Sequence, residues 1–83
     1  MVLPIDPAEQ LRAEKAQLIK ADKDIEDGWR RLRHQQELLS DLHAAGHDAT
    51  QAERLVLLLQ QTLTEWERHR ILIRERIAYL SIY

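Results

Sequence analysis

Apolar residues recur at intervals of seven in two separate stretches, and a helix-ending glycine lies between them. The first ladder is Leu11, Leu18, Ile25, Leu32 and Leu39; the second is Ala52, Leu59, Trp66, Ile73 and Leu80. A spacing of seven keeps side chains on one stripe of an α-helix, the pattern of helices packed lengthwise on one another. Between the ladders lies Gly46-His47-Asp48, and a glycine there suits the left-handed residue that closes a helix. The pattern predicts an all-α fold. It is an antiparallel two-helix hairpin, coiled-coil-like, forming a single domain over residues 1–83. Helix one is expected at about 7–45, the turn at 46–48 and helix two at about 49–81.

Local signals agree with that layout. Asp6 can cap the first helix, Pro7 fits its first turn and Glu9 can complete a capping box. Asp48-Ala49-Thr50-Gln51 repeats the capping logic for the second helix. A short connection makes the two helices antiparallel neighbours. Setting Leu42 opposite Ala52 then places Gln35 against Leu59, Gly28 against Trp66, Ala21 against Ile73 and Glu14 against Leu80. The intra-hairpin seam is predicted to hold Leu18, Ile25, Gly28, Leu32, Leu39, Leu59, Leu63, Trp66 and Ile73. Gly28 costs a helix roughly 1 kcal/mol relative to Ala, and this register explains it as room for the indole of Trp66. The same register sets Leu38 beside Leu55, Asp22 near Arg74 and Asp24 near His69. Arg70 and Gln35 occupy seam positions where an apolar residue is expected. Each is read as a polar device that selects one alignment, with Arg70 reaching Asp24 or Glu67.

Helix two carries more apolar surface than one partner covers. Leu57, Leu58, Ile71, Leu72 and Tyr79 form a second stripe, and helix one adds Trp29 and Ile19 off its own ladder. An apolar patch of that extent on a small protein marks an interaction surface. The economical expectation is a homodimer, two hairpins joining as a four-helix bundle about a two-fold axis. The expected oligomer or partner surface is Leu57, Leu58, Ile71, Leu72, Tyr79 and Trp29.

Other function classes find little support. The net charge of −2 gives no drive toward phosphate backbones or anionic membranes. The cluster Arg30, Arg31, Arg33 and His34 beside Trp29 is flanked by acidic residues. It reads as a solvated face with Glu26 paired to Arg30 and Asp27 to Arg31. Cysteine is absent, which removes disulfides and thiolate metal sites. His34, His43, His47 and His69 lack the convergent spacing of a metal site. No nucleophile–base arrangement or Gly-rich phosphate loop is present. The chain is therefore read as a non-enzyme with no cofactor and no metal. Met1 to Asp6 has no basic region followed by an apolar run, and no stretch approaches membrane-spanning length. A cytoplasmic location is the expectation.

A set of residues in fixed order carries a resemblance. It comprises Ile25, Gly28 and Arg31, then Leu42 with Gly46-His47-Asp48, then Ala52-Glu53 and Leu55, and late His69-Arg70. In this pattern, which covers residues 22–76, the chain resembles small uncharacterised helical-hairpin proteins of rhizobia and related alphaproteobacteria. The resemblance implies a small bacterial helical protein and brings no activity, cofactor or site residue with it. Two roles fit the residues: a homo-oligomeric scaffold or adaptor, and a small inhibitor or regulator of another macromolecule, antitoxin-like or anti-defence. Nucleic-acid binding through Arg30, Arg31 and Arg33 is disfavoured by the net charge.

Overall fold

A computed structural model describes residues 6–82, so Met1 to Ile5, most of the stretch read as lacking a leader pattern, lie outside the described residues. Helix α1 spans Pro7–Ala44 and helix α2 spans Thr50–Leu80, and they pack against each other as a hairpin. At 1.5 Å per residue the 38 residues of α1 extend about 57 Å, which accounts for most of the longest dimension of the 63 × 23 × 14 Å molecule. The two stretches of sevenfold periodicity are thus two helices, and no strand occurs among the described residues.

Both connections between sequence and helix end are visible as hydrogen bonds. The Asp6 carboxylate accepts from the Ala8 N–H at 3.3 Å, with Pro7 in the first turn. At the far end of α1, Gly46 adopts φ +69°. Its N–H donates to the His43 carbonyl at 3.1 Å, and the His47 N–H donates to the Leu42 carbonyl at 3.0 Å. That pair of reversed bonds around a left-handed residue is the Schellman arrangement, which satisfies carbonyls the helix leaves orphaned. Ala45 and Ala49 are the capping residues. The helices therefore stop one residue short of the expected bounds at 45, 49 and 81, and the connection is longer than the expected three residues.

The start of α2 differs from the expected capping box. Ala49, the N-cap residue, makes no side-chain cap. Asp48 stands one position earlier and accepts from the Thr50 hydroxyl at 2.7 Å and from the Thr50 N–H at 3.0 Å. Those two donors, the hydroxyl first, hold the Asp48 carboxyl below its ordinary value.

Inward positions follow the two heptad series closely. In α1, Ile25, Gly28 and Leu32 are buried and Leu18, Ala21, Gln35, Leu39 and Leu42 are half-buried; in α2, Val56, Leu63, Ile73 and Leu80 are buried. Ile25, Leu32, Val56 and Leu63 form one cluster, with Leu39 and Leu59 packed on it. Buried side chains of this kind contribute about 1.5–3 kcal/mol each relative to exposure, so the seam is the main source of the hairpin's stability.

Two expected seam contacts are rearranged. A Cβ placed on Gly28 would lie 2.7 Å from Leu63 Cδ2 and 3.3 Å from Trp66 Cζ3. The space is thus filled first by Leu63, which is buried, and only second by the indole, which is 39% exposed. An antiparallel seam seats each residue between two positions of the opposite helix, and the branched side chain fits deeper than the flat ring. Arg70, expected to reach Asp24 or Glu67, instead donates to Asp22 Oδ1 at 3.2 Å. Among the described residues Arg74 forms no ion pair with Asp22.

Candidate functional site

Ion pairs and hydrogen bonds line both flanks of the seam. From the turn outward, His43 Nε2 lies 3.0 Å from Glu53 Oε1, the Trp29 indole N–H donates to Glu67 Oε1 at 3.0 Å, and Arg76 Nε lies 3.1 Å from Glu14 Oε1. These contacts, with Arg70 to Asp22, tie α1 to α2 in antiparallel register along their length. Trp29 is 43% exposed but sits on this flank, in a groove with Leu32, Gln36, Gln60, Leu63, Thr64 and Glu67. The structure thus places it at the hairpin edge, with its indole N–H bonded to Glu67. Asp24 and His69 line one groove on the opposite flank with Trp66 and Ile73, and Leu38 and Leu55 stay partly exposed.

The remaining five predicted surface residues share one face. Leu57 is 58% exposed, Leu58 57%, Ile71 54%, Leu72 48% and Tyr79 60%. At 100° per residue, the direction midway between the positions of Leu57 and Leu58 is opposite the seam line through Val56, Leu59 and Leu63. The stripe is therefore the back of α2, turned away from α1. It consists of two apolar doublets, Leu57-Leu58 and Ile71-Leu72, with Ala78-Tyr79 beyond them and Thr64-Glu65 between.

A row of polar side chains runs down the middle of that stripe and escapes a search for apolar residues alone. Arg54, Gln61, Arg68 and Glu75 fall at the same heptad position, between the two columns of the doublets, and all are exposed. Arg68 pairs with Glu65 at 3.1 Å. The signal was available in the heptad frame: the position three residues before each doublet is polar every time.

The basic cluster of α1 is partly neutralised. Arg30 pairs with both Glu26, at 3.3 Å, and Asp27, at 3.5 Å; Asp27 thus bonds Arg30 where Arg31 was expected. Arg30, Arg31 and His34 border an open groove with Asp27, Gln35, Leu55 and Leu59. Among the described residues, no group of three or more His, Asp or Glu side chains converges as a metal site, and no helix is long and apolar enough to cross a membrane. Comparison with protein-family models, with curated proteins and with solved structures finds no match to this chain.

Proposed function

We propose that this chain is a non-enzymatic helical interaction module, a homo-oligomeric scaffold or adaptor whose hairpins meet through the outer face of α2. Kinship with the rhizobial hairpin group belongs to the same proposal. The observation that carries the reading is the set Leu57, Leu58, Ile71, Leu72 and Tyr79, each half or more exposed except Leu72 at 48%. They lie on one face of a helix whose other face is already engaged by α1. Water contact with that area is unfavourable, and burying it against a partner recovers the transfer free energy. A two-fold pairing of identical surfaces is the commonest solution.

The position of the stripe shapes the proposed assembly. Because it lies opposite the seam, two hairpins joined through it would place the two α2 helices at the centre and the two α1 helices outside. That is an open form of the expected four-helix assembly. The outer side of α1 offers no matching stripe: Ile19 stands among Arg12, Lys20, Lys23 and Glu26.

Sedimentation velocity over a range of concentrations tests the reading. A species of twice the protomer mass, lost on substituting Leu58 and Leu72 by Glu, is expected. A monomer at every concentration would leave the stripe bare and favour the regulator role, in which a different protein covers it.

A further inference from the structure

We infer that α2 docks antiparallel on α2 of a second copy with the two-fold axis between Thr64 and Glu65, an arrangement held in register by Arg54 of each copy against Glu75 of the other. The inference rests on the homo-oligomer reading and names its register. A two-fold interface must be self-complementary, each residue meeting the one equally far on the other side of the axis. About an axis at Thr64-Glu65, the outer face of α2 reads nearly the same in both directions. Leu57-Leu58 meets Ile71-Leu72, Gln61 meets Arg68, and Arg54 meets Glu75.

The polar row and the apolar doublets fit this axis together. Every polar position of the row meets another of the row, and each of the two apolar doublets meets the other, so both are covered. Arg54 and Glu75 are exposed, and among the described residues neither has an ion-pair partner within its own protomer. Near the axis the two Glu65 side chains approach each other, and each already has Arg68 of its own chain at 3.1 Å, which offsets the repulsion. Sliding one copy by a heptad in either direction sets an apolar doublet against Thr64-Glu65. It also brings Arg68 against Arg68 in one direction, or Arg54 against Arg68 in the other. Like charges in direct opposition penalise those alternatives.

The absence of cysteine from the chain makes the register directly readable. A Thr64→Cys variant is expected to form a disulfide-linked dimer under mild oxidation. An Arg54→Cys variant is expected not to link to itself, since its two copies would stand about 30 Å apart along the helices. Mixed with Glu75→Cys, it is expected to form the heterologous link. Independently, Arg54→Glu and Glu75→Arg should each raise the dimer Kd about tenfold or more at low salt, and the double swap should restore it. A monomer by sedimentation overturns both this register and the homo-oligomer reading. A dimer that links through Gln61→Cys or Arg68→Cys with itself, or that ignores the charge swaps, overturns the register alone. All these positions are exposed, so circular dichroism of each variant is expected to keep the helical signal of the parent.

Discussion

The two faces of α2 carry similar inventories of leucine and isoleucine, yet they have different fates. On the seam, Leu63 is 2% exposed and Ile73 1%; on the back, Leu58 is 57% and Ile71 54%. Both faces repeat every seven residues, so period alone does not separate them. The difference lies in what interrupts each stripe. The seam admits one charged residue on α2, Arg70, whose head finds Asp22 at 3.2 Å. The back is interrupted at every heptad by Arg54, Gln61, Arg68 or Glu75. A continuous stripe can be buried within one protomer, whereas an interrupted one is suited to a surface that must also survive in water.

This contrast breaks most easily at Leu63. Replacing it by Ala should lower hairpin stability by about 3 kcal/mol, within the usual range for a buried leucine, read from thermal or urea unfolding. Leu58→Ala should change unfolding of the dilute chain by less than about 0.5 kcal/mol; equal losses at the two sites would erase the distinction between the faces. Next in size, Leu58→Glu with Leu72→Glu should weaken self-association on the order of a hundredfold while leaving the melting of the dilute hairpin nearly unchanged. Sedimentation and calorimetry on the same samples check both halves.

Smaller substitutions sharpen the picture of the seam itself. Arg70 is three-quarters covered, with Nε buried and without a hydrogen-bond partner. Arg70→Leu should therefore raise stability by about 1 kcal/mol, near the lower end for replacing a buried ion pair because Asp22 is half-exposed. It should also broaden the set of association states, since a register-specific contact is lost; a single unchanged species would remove that role from Arg70. Gly28→Ala gains helix propensity but drives a methyl to 2.7 Å from Leu63 Cδ2. Overpacking of about 1–3 kcal/mol against a propensity gain of about 1 leaves a net loss on the order of 1 kcal/mol. In a Leu63→Ala background the same change should become stabilising.

The smallest effect is a pH dependence at the turn. Asp48 has its carboxyl held below its ordinary 3.8 by the Thr50 hydroxyl and N–H. A folded-state value below the unfolded one contributes stability that is fully present above 3.8 and is lost as pH falls through the depressed value. Asp48→Asn should flatten that part of the acid-unfolding curve, and an unaltered acid limb would show that the Thr50 contacts do not persist in solution.

Much of the architecture is legible in the sequence. The ladders from Leu11 to Leu39 and from Ala52 to Leu80, with Gly46 between them, specify helix, break and helix, because each signal acts within a few residues. The pairing of Glu26 with Arg30 was legible for the same reason, being four apart on one helix. Contacts across the seam were harder to read. Asp22 serves Arg70 where Arg74 was expected, and Leu63 occupies the hollow at Gly28 ahead of Trp66. A shift of a few ångströms along two long helices changes the partner while leaving the pattern intact. The stripe on the back of α2 was legible as a set of residues, but the bond from the Trp29 indole to Glu67 at 3.0 Å was not, since it joins residues far apart in sequence.

By itself the chain determined that two amphipathic helices form and that they fold back at Gly46, since heptad spacing, capping groups and a left-handed glycine are local properties of the polypeptide. Only the tertiary structure decided which side chain fills each gap between the helices, which flank holds Trp29 and which apolar residues stay in water. Those outcomes depend on volumes and distances between residues far apart in sequence, and packing chooses among alternatives that the spacing of residues leaves equal.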